Sequence, residues 1–94
     1  MSADGRPLHE GDMRAQIGQA LDNLEEVLRS AGLSLSDVVR LNYYTTDIDS
    51  FFAAYEVALG RLKEAGIQPS STLLGVSRLA FPELLIEIEA TAVQ

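Results

Sequence analysis

The stretch "PSSTLLGVSRLAFPELLIEIEATAV" (residues 69–93) holds two apolar runs separated by a turn around Phe81-Pro82. In the second run Ile86, Ile88, Ala90 and Ala92 alternate with Glu87, Glu89 and Thr91. That period of two belongs to a strand with one buried face. The first run opens on bare serines, Ser70 and Ser71. Together they predict strands over about 71–79 and 84–93, joined through Ala80–Glu83 as a hairpin. In that register Leu79 opposes Leu84 and Glu87 opposes Val76. Ser71 then lies roughly 17 Å from the Glu87 level, at ~3.4 Å per residue.

Upstream, Ile17, Leu21, Leu24 and Leu28 fall on one face of a helix over 13–31, with Asp12 as N-cap and Gly32 as its stop. Residues 34–37 form a turn, and 38–46 ("VVRLNYYTT") are rich in β-branched and aromatic residues, as a strand requires. Asp47 or Asp49 caps a second helix over 50–65. Its apolar face carries Phe51, Tyr55, Ala58 and Leu62, with Phe52 and Leu59 beside them. Gly66 ends it, with Ile67 placed for the apolar contact of a Schellman cap. The order α-β-α-β-β implies a right-handed parallel pair, then the hairpin, with two helices on one face of a mixed sheet. The helix-free face mixes Val38, Tyr44, Leu85 and Val93 with Arg40, Asn42, Glu87 and Glu89. Such a face suits another subunit better than open water.

The 94 residues suffice for one domain, which buries a modest share of its surface and gains from a partner subunit. A composition of 47% hydrophobic and 22% charged residues is that of a globular chain. No apolar run is long enough to cross a membrane, and "MSADGRPLHEGD" lacks the layout of a signal peptide, so cytoplasm is the expected compartment. Cysteine is absent, which removes disulfides and thiolate chemistry. With a formal net charge of −7 and scattered basic residues, nucleic acid is an unsuitable partner. The single histidine, His9, reads as a solvated loop residue, and no metal site is expected.

Three segments resemble the RidA/YjgF family of small trimeric proteins, known as enamine/imine deaminases. "QALDNLEEVLRSAGLSLSDVVRLNYYTTDIDSFFAAYE" is similar to its helix-strand-helix pattern, "PSSTLLGVSRL" to its Pro-x-Arg-Ser/Thr strand, and "IEIEATAV" to its C-terminal strand. The likeness covers about residues 3–94. It implies a chorismate-mutase-like α+β domain, a homotrimer, and clefts between subunits for small carboxylated metabolites. No cofactor is implied. In the family an arginine grips the substrate carboxylate, a task suited to a planar two-pronged donor. A glutamate on the last strand positions the water that attacks the imine carbon, and ammonia leaves. The resemblance puts Glu87 at that glutamate, Ser71 at the arginine, Tyr55 near a cleft position on the second helix, and Leu73 beside Ser71 on the substrate-binding strand. A serine hydroxyl offers one donor where a guanidinium offers five. The family's N-terminal β-hairpin has no counterpart in this sequence, which leaves 84–93 as an edge strand.

Bland readings stand beside these. Glu87 and Glu89 could be solvated, or could pair with Arg40 across an interface. Arg78, opposite in strand parity to Ser71, reads as a strand-end surface residue and not as a replacement cation. Phe51, Phe52, Tyr43 and Tyr44 suit a core or an interface. Three functions follow: an imine deaminase with weak or absent standard activity, a metabolite-binding or assembly protein without catalysis, and a ribonuclease. Acidity and the lack of a histidine-based acid/base pair weigh against the last.

Overall fold

In a computed structural model that describes residues 11–93, the Asp12 carboxylate accepts the Ala15 N–H at 3.0 Å and opens helix α1 (Met13–Ser30). His9 lies outside the described residues. Gly32, at φ 77°, takes the left-handed conformation that ends α1, and Leu33 N–H returns to Leu28 O at 2.8 Å. A single 3-10 turn (Leu35–Asp37), in which Asp37 accepts the Ser34 N–H at 2.9 Å, leads into strand β1 (Val38–Thr45). Asp47 caps the next helix by accepting the Ser50 N–H at 3.0 Å.

That helix is two helices, α2 (Ile48–Ala54) and α3 (Glu56–Ala65), not the single helix expected over 50–65. At the junction Tyr55 N–H bonds to Phe52 O at 3.3 Å, the tighter i−3 pattern, while the Tyr55 ring packs on Phe51. Gly66 closes α3 in the left-handed conformation, and Ile67 N–H bonds to Leu62 O, as the cap signal predicts. Strands β2 (Ser70–Gly75) and β3 (Ile86–Ala92) complete the chain. Both are shorter than expected.

The sheet order is β2-β1-β3. β1 and β2 are parallel, joined by the α2–α3 crossover, and β1 and β3 are antiparallel. The expected β2–β3 hairpin is therefore wrong, and Glu87 lies opposite Tyr44, not Val76. The reason is visible in the link. Between Gly75 and Ile86 the chain is too long for a tight turn, and it straddles the end of β1. Val76 N–H bonds to Thr45 O at 2.9 Å on one side, and Leu85 O accepts Thr46 N–H at 3.3 Å on the other. Among the described strands β3 lies at the sheet edge, as expected, but its covered side meets β1.

The helices share one core with the sheet's buried face. Ile17, Leu21, Leu41, Tyr43, Phe51 and Ala58 are essentially inaccessible to solvent. Each large apolar side chain so enclosed contributes about 1.5–3 kcal/mol. Val38, expected on the helix-free face, belongs to this core at 3% exposure. Its partner is Ala92, whereas Arg40 pairs with Thr91, so Val39 is an extra residue and shifts the alternation. Leu85, also expected on the open face, packs against the core just before β3 begins. Arg61 ties α3 to α1 through Asp22 (2.9 Å) and Glu25 (3.0 Å).

Gln16 holds the long link in place. This side chain is 4% exposed on α1. Its Nε2 donates to Glu83 O at 3.0 Å and its Oε1 accepts Leu85 N–H at 2.8 Å. Thr45 Oγ1 donates to Leu85 O at 2.7 Å.

Gln16→Leu keeps the volume but leaves two backbone groups of the link without partners. It should lower unfolding free energy by about 1–3 kcal/mol in urea titrations; an unchanged midpoint would mean that water replaces the amide. On the open side of β3, amides pointing away from β1 should exchange hydrogen quickly, alternating with protected ones over 86–92. Uniform protection would show that another strand covers that edge.

Candidate functional site

Two polar regions lie on opposite faces of the sheet. The first is on the helix side. In the parallel pairing Ser71 stands beside Leu41 and Leu73 beside Tyr43, so both share the face that the helices cover. Ser71 is exposed at the sheet edge, and its hydroxyl donates to Pro69 O at 3.4 Å. Leu73 packs against the core. Tyr55, at the α2–α3 junction, meets Tyr43 edge-on with ring centroids 5.9 Å apart. Tyr55 and Ser71 line one hollow of ≈ 730 Å³ between α3 and the β2 edge, together with Leu59, Lys63 and Ile67. Next to Tyr55 the Tyr43 hydroxyl is enclosed and has no hydrogen-bond partner among the described residues. Burial pushes the Tyr43 phenol far above its ordinary value. The Tyr55 phenol raises it further, although their geometry falls short of a hydrogen bond.

The second region is the helix-free face. There β1 presents Arg40, Asn42 and Tyr44 between the two outer strands. Glu89 Oε1 accepts from Asn42 Nδ2 at 2.9 Å and from Tyr44 Oη at 3.2 Å. Arg40 donates to Ser70 Oγ at 3.2 Å and to Thr72 Oγ1. Glu87 is exposed opposite Tyr44. It also touches the rim of an apolar groove of ≈ 320 Å³ between α1 and β3, lined by Leu24, Val27 and Ile88 among others.

So Ser71 and Tyr55 come together, with Leu73 in the core layer beside them, and Glu87 does not join them. The whole of β1 stands between, and the side chains leave opposite faces. One chain cannot close both groups on a small ligand. The hairpin register led to the same separation for a different and incorrect reason. Sequence reasoning missed one cation, Lys63, and the partners of another, Arg40. Lys63 was legible as the i+8 neighbour of Tyr55. Arg40's bond to Ser70 and Thr72 required the parallel register. Arg78 is exposed beyond the end of β2. Among the described residues no group of acidic or histidine side chains is arranged to hold a metal, and no helix is long and apolar enough to cross a membrane.

The family model described as Endoribonuclease L-PSP matches residues 1–94. The chain belongs to this family, the RidA/YjgF proteins. A RutC family protein of Pyrococcus horikoshii is 37% identical over 83 residues, 88% of this chain and 64% of that protein. The 2-iminobutanoate/2-iminopropanoate deaminase of Escherichia coli is 33% identical over 86 residues, 88% of this chain and 65% of that enzyme. The crystal structure of the Rid-family protein YyfB from Yersinia pestis superposes with a TM-score of 0.86 at 42% identity, covering 99% of this chain and 71% of that one. The chain thus spans a little under two thirds of these two relatives' length. The RidA-type α+β architecture is theirs as well as its own.

The Tyr44 phenol is held above its ordinary value of 10.0 by burial first, then by the Glu89 hydrogen bond and charge, with Glu87 adding. A phenol whose folded value exceeds its unfolded one stabilises the fold fully below the unfolded value and loses that contribution as pH rises through the folded one. In Glu89→Gln, Tyr44 should titrate closer to its ordinary value, and alkaline loss of stability should be shallower. Tyrosinate absorbance measures this, with Tyr44→Phe assigning the transition; an unchanged titration would remove Glu89 as the cause.

Proposed function

We propose that this chain is a subunit of a RidA-type homo-oligomer, most simply a trimer, with clefts for small carboxylated metabolites. Its standard imine deaminase activity is weak. The observation that carries the reading is the split between Ser71 with Tyr55 on one sheet face and Glu87 on the other. A second copy that laid its Glu87 against the Ser71 hollow would complete a site that no single chain can form. The open face offers material for such contact: Tyr44 and Leu74 are paired across β1 and β2, and Leu74 is 46% exposed.

The chemistry follows from those groups. A substrate of the 2-iminobutanoate class, which the Escherichia coli deaminase is named for, carries a carboxylate next to an imine. The hollow holds the carboxylate and the Leu59 and Ile67 wall takes the short alkyl chain. The Glu87 carboxylate from the neighbouring copy accepts a hydrogen bond from a water molecule and aims its oxygen at the imine carbon. Addition gives a carbinolamine; proton transfer to nitrogen and departure of ammonia leave the 2-oxo acid. Glu87 carries the proton between the two oxygen and nitrogen centres, so no metal or organic cofactor is required. Ser71 is why the reaction is slow. A neutral hydroxyl replaces a bidentate cation, and each lost charge-assisted bond is worth about 1.5–3 kcal/mol. Binding without turnover is the second reading, favoured by the same residue.

The test is ammonia release from 2-iminobutanoate generated in situ. Ser71→Arg should raise the rate by about tenfold or more, since one such bond changes a rate by that factor. Glu87→Gln should abolish what activity there is. Light scattering should report a multiple of the chain mass. A well-folded monomer at micromolar concentration, or wild-type turnover that Ser71→Arg leaves unchanged, would overturn the reading.

A further inference from the structure

Among the described residues that line the Ser71 hollow, Lys63 is the charged one. It stands one turn beyond Leu59 on α3, and with Leu59 and Tyr55 it lines the hollow beside the β2 edge. It is exposed and takes part in no ion pair among the described residues. The other cations near β2 are unsuited to this place. Arg40 is on the opposite face, engaged with Ser70 and Thr72. Arg78 follows the end of the strand and lines none of this hollow.

From this juxtaposition we infer that Lys63 is the cation that reads the anionic head of the ligand in this chain. It supplies from the helix the charge that the Ser71 position on the strand lacks. The inference rests on the reading of the hollow as a carboxylate site and adds to it a residue and a selectivity. A lysine is a point charge on a flexible stem, without the planar fork that fixes a carboxylate's orientation. It therefore confers affinity for a small carboxylate while leaving the reacting carbon loosely aimed. The Ser71 hydroxyl can add one donor, and Leu59 and Ile67 give an apolar wall. Ligands of this hollow are thus short-chain 2-oxo or amino acids, recognised mainly by charge. A lysine in the last turn of a helix also complements the helix dipole. That role would move stability, not ligand choice.

The experiment titrates the full chain with 2-oxobutanoate by NMR, reading amide shifts over 55–71, beside 2-butanone as a neutral analogue. Urea midpoints verify that each variant folds. The wild type should bind the oxo acid more tightly than the ketone. Lys63→Gln should weaken oxo-acid binding about tenfold or more, the worth of one charge-assisted bond, and leave the ketone unchanged. Lys63→Arg should retain it. If Lys63→Gln binds the oxo acid as the wild type does, Lys63 is not the cation, and the hollow remains a carboxylate site read by something else. If the wild type does not bind but Ser71→Arg does, the Lys63 inference falls alone. If neither binds the oxo acid, the carboxylate reading of the hollow falls and takes the inference with it.

Discussion

The central position of β1 is the constraint on which the rest of the molecule depends. Both of its edges are hydrogen-bonded, to β2 on one side and β3 on the other. Its buried residues Val38, Leu41 and Tyr43 join the core that the helices close. Because β2 and β3 cannot touch, the link between them must cross the end of β1 and be held there. Gln16 and Thr45 do this with ordinary neutral hydrogen bonds in a nearly dry environment, where an unmade bond costs more than a made one contributes. An amide on α1 therefore controls where the last strand starts, and so which side of the sheet Glu87 occupies.

The local features were legible in the sequence. Asp12, Asp47, Gly66 and the period of Ile17, Leu21 and Leu28 each signal through neighbours a few residues away, and each stands where the pattern puts it. The alternation of Ile86, Ile88 and Ala90 against Glu87 and Glu89 is likewise real. What failed was pairing. Two strands adjacent in sequence suggest a hairpin, and nothing local reveals that β1 has two free edges to fill. The break at Tyr55 was hidden because its apolar spacing continues unbroken through the junction. Val38 was misplaced because one extra residue inverts the parity that a strand argument depends on.

The site was legible in part. The resemblance pointed to Ser71, Tyr55 and Glu87 as candidates. Their grouping is a tertiary matter: Tyr55 reaches Ser71 only because the crossover lays α3 along the β2 edge. Lys63 and Arg40 show the same limit from the other side. Both look like ordinary surface charge in the sequence, and they separate only once the sheet has two faces. Glu89 gained a definite role through Asn42 and Tyr44, which makes it a structural carboxylate within one chain, whereas Glu87 has no such bond among the described residues.

The extra residue at Val39 bears on how such a chain can change length. The alternation of side chains before it and after it is out of phase by one, and Val39 itself is 47% exposed. Removing it joins Val38 directly to Arg40 and yields a strictly alternating strand, with Val38 inward, Arg40 outward and Leu41 inward. Elsewhere in β1 a one-residue deletion would turn buried groups toward solvent. At this single point it would not, so this is where a lineage can gain or lose a codon in its central strand without rebuilding the core.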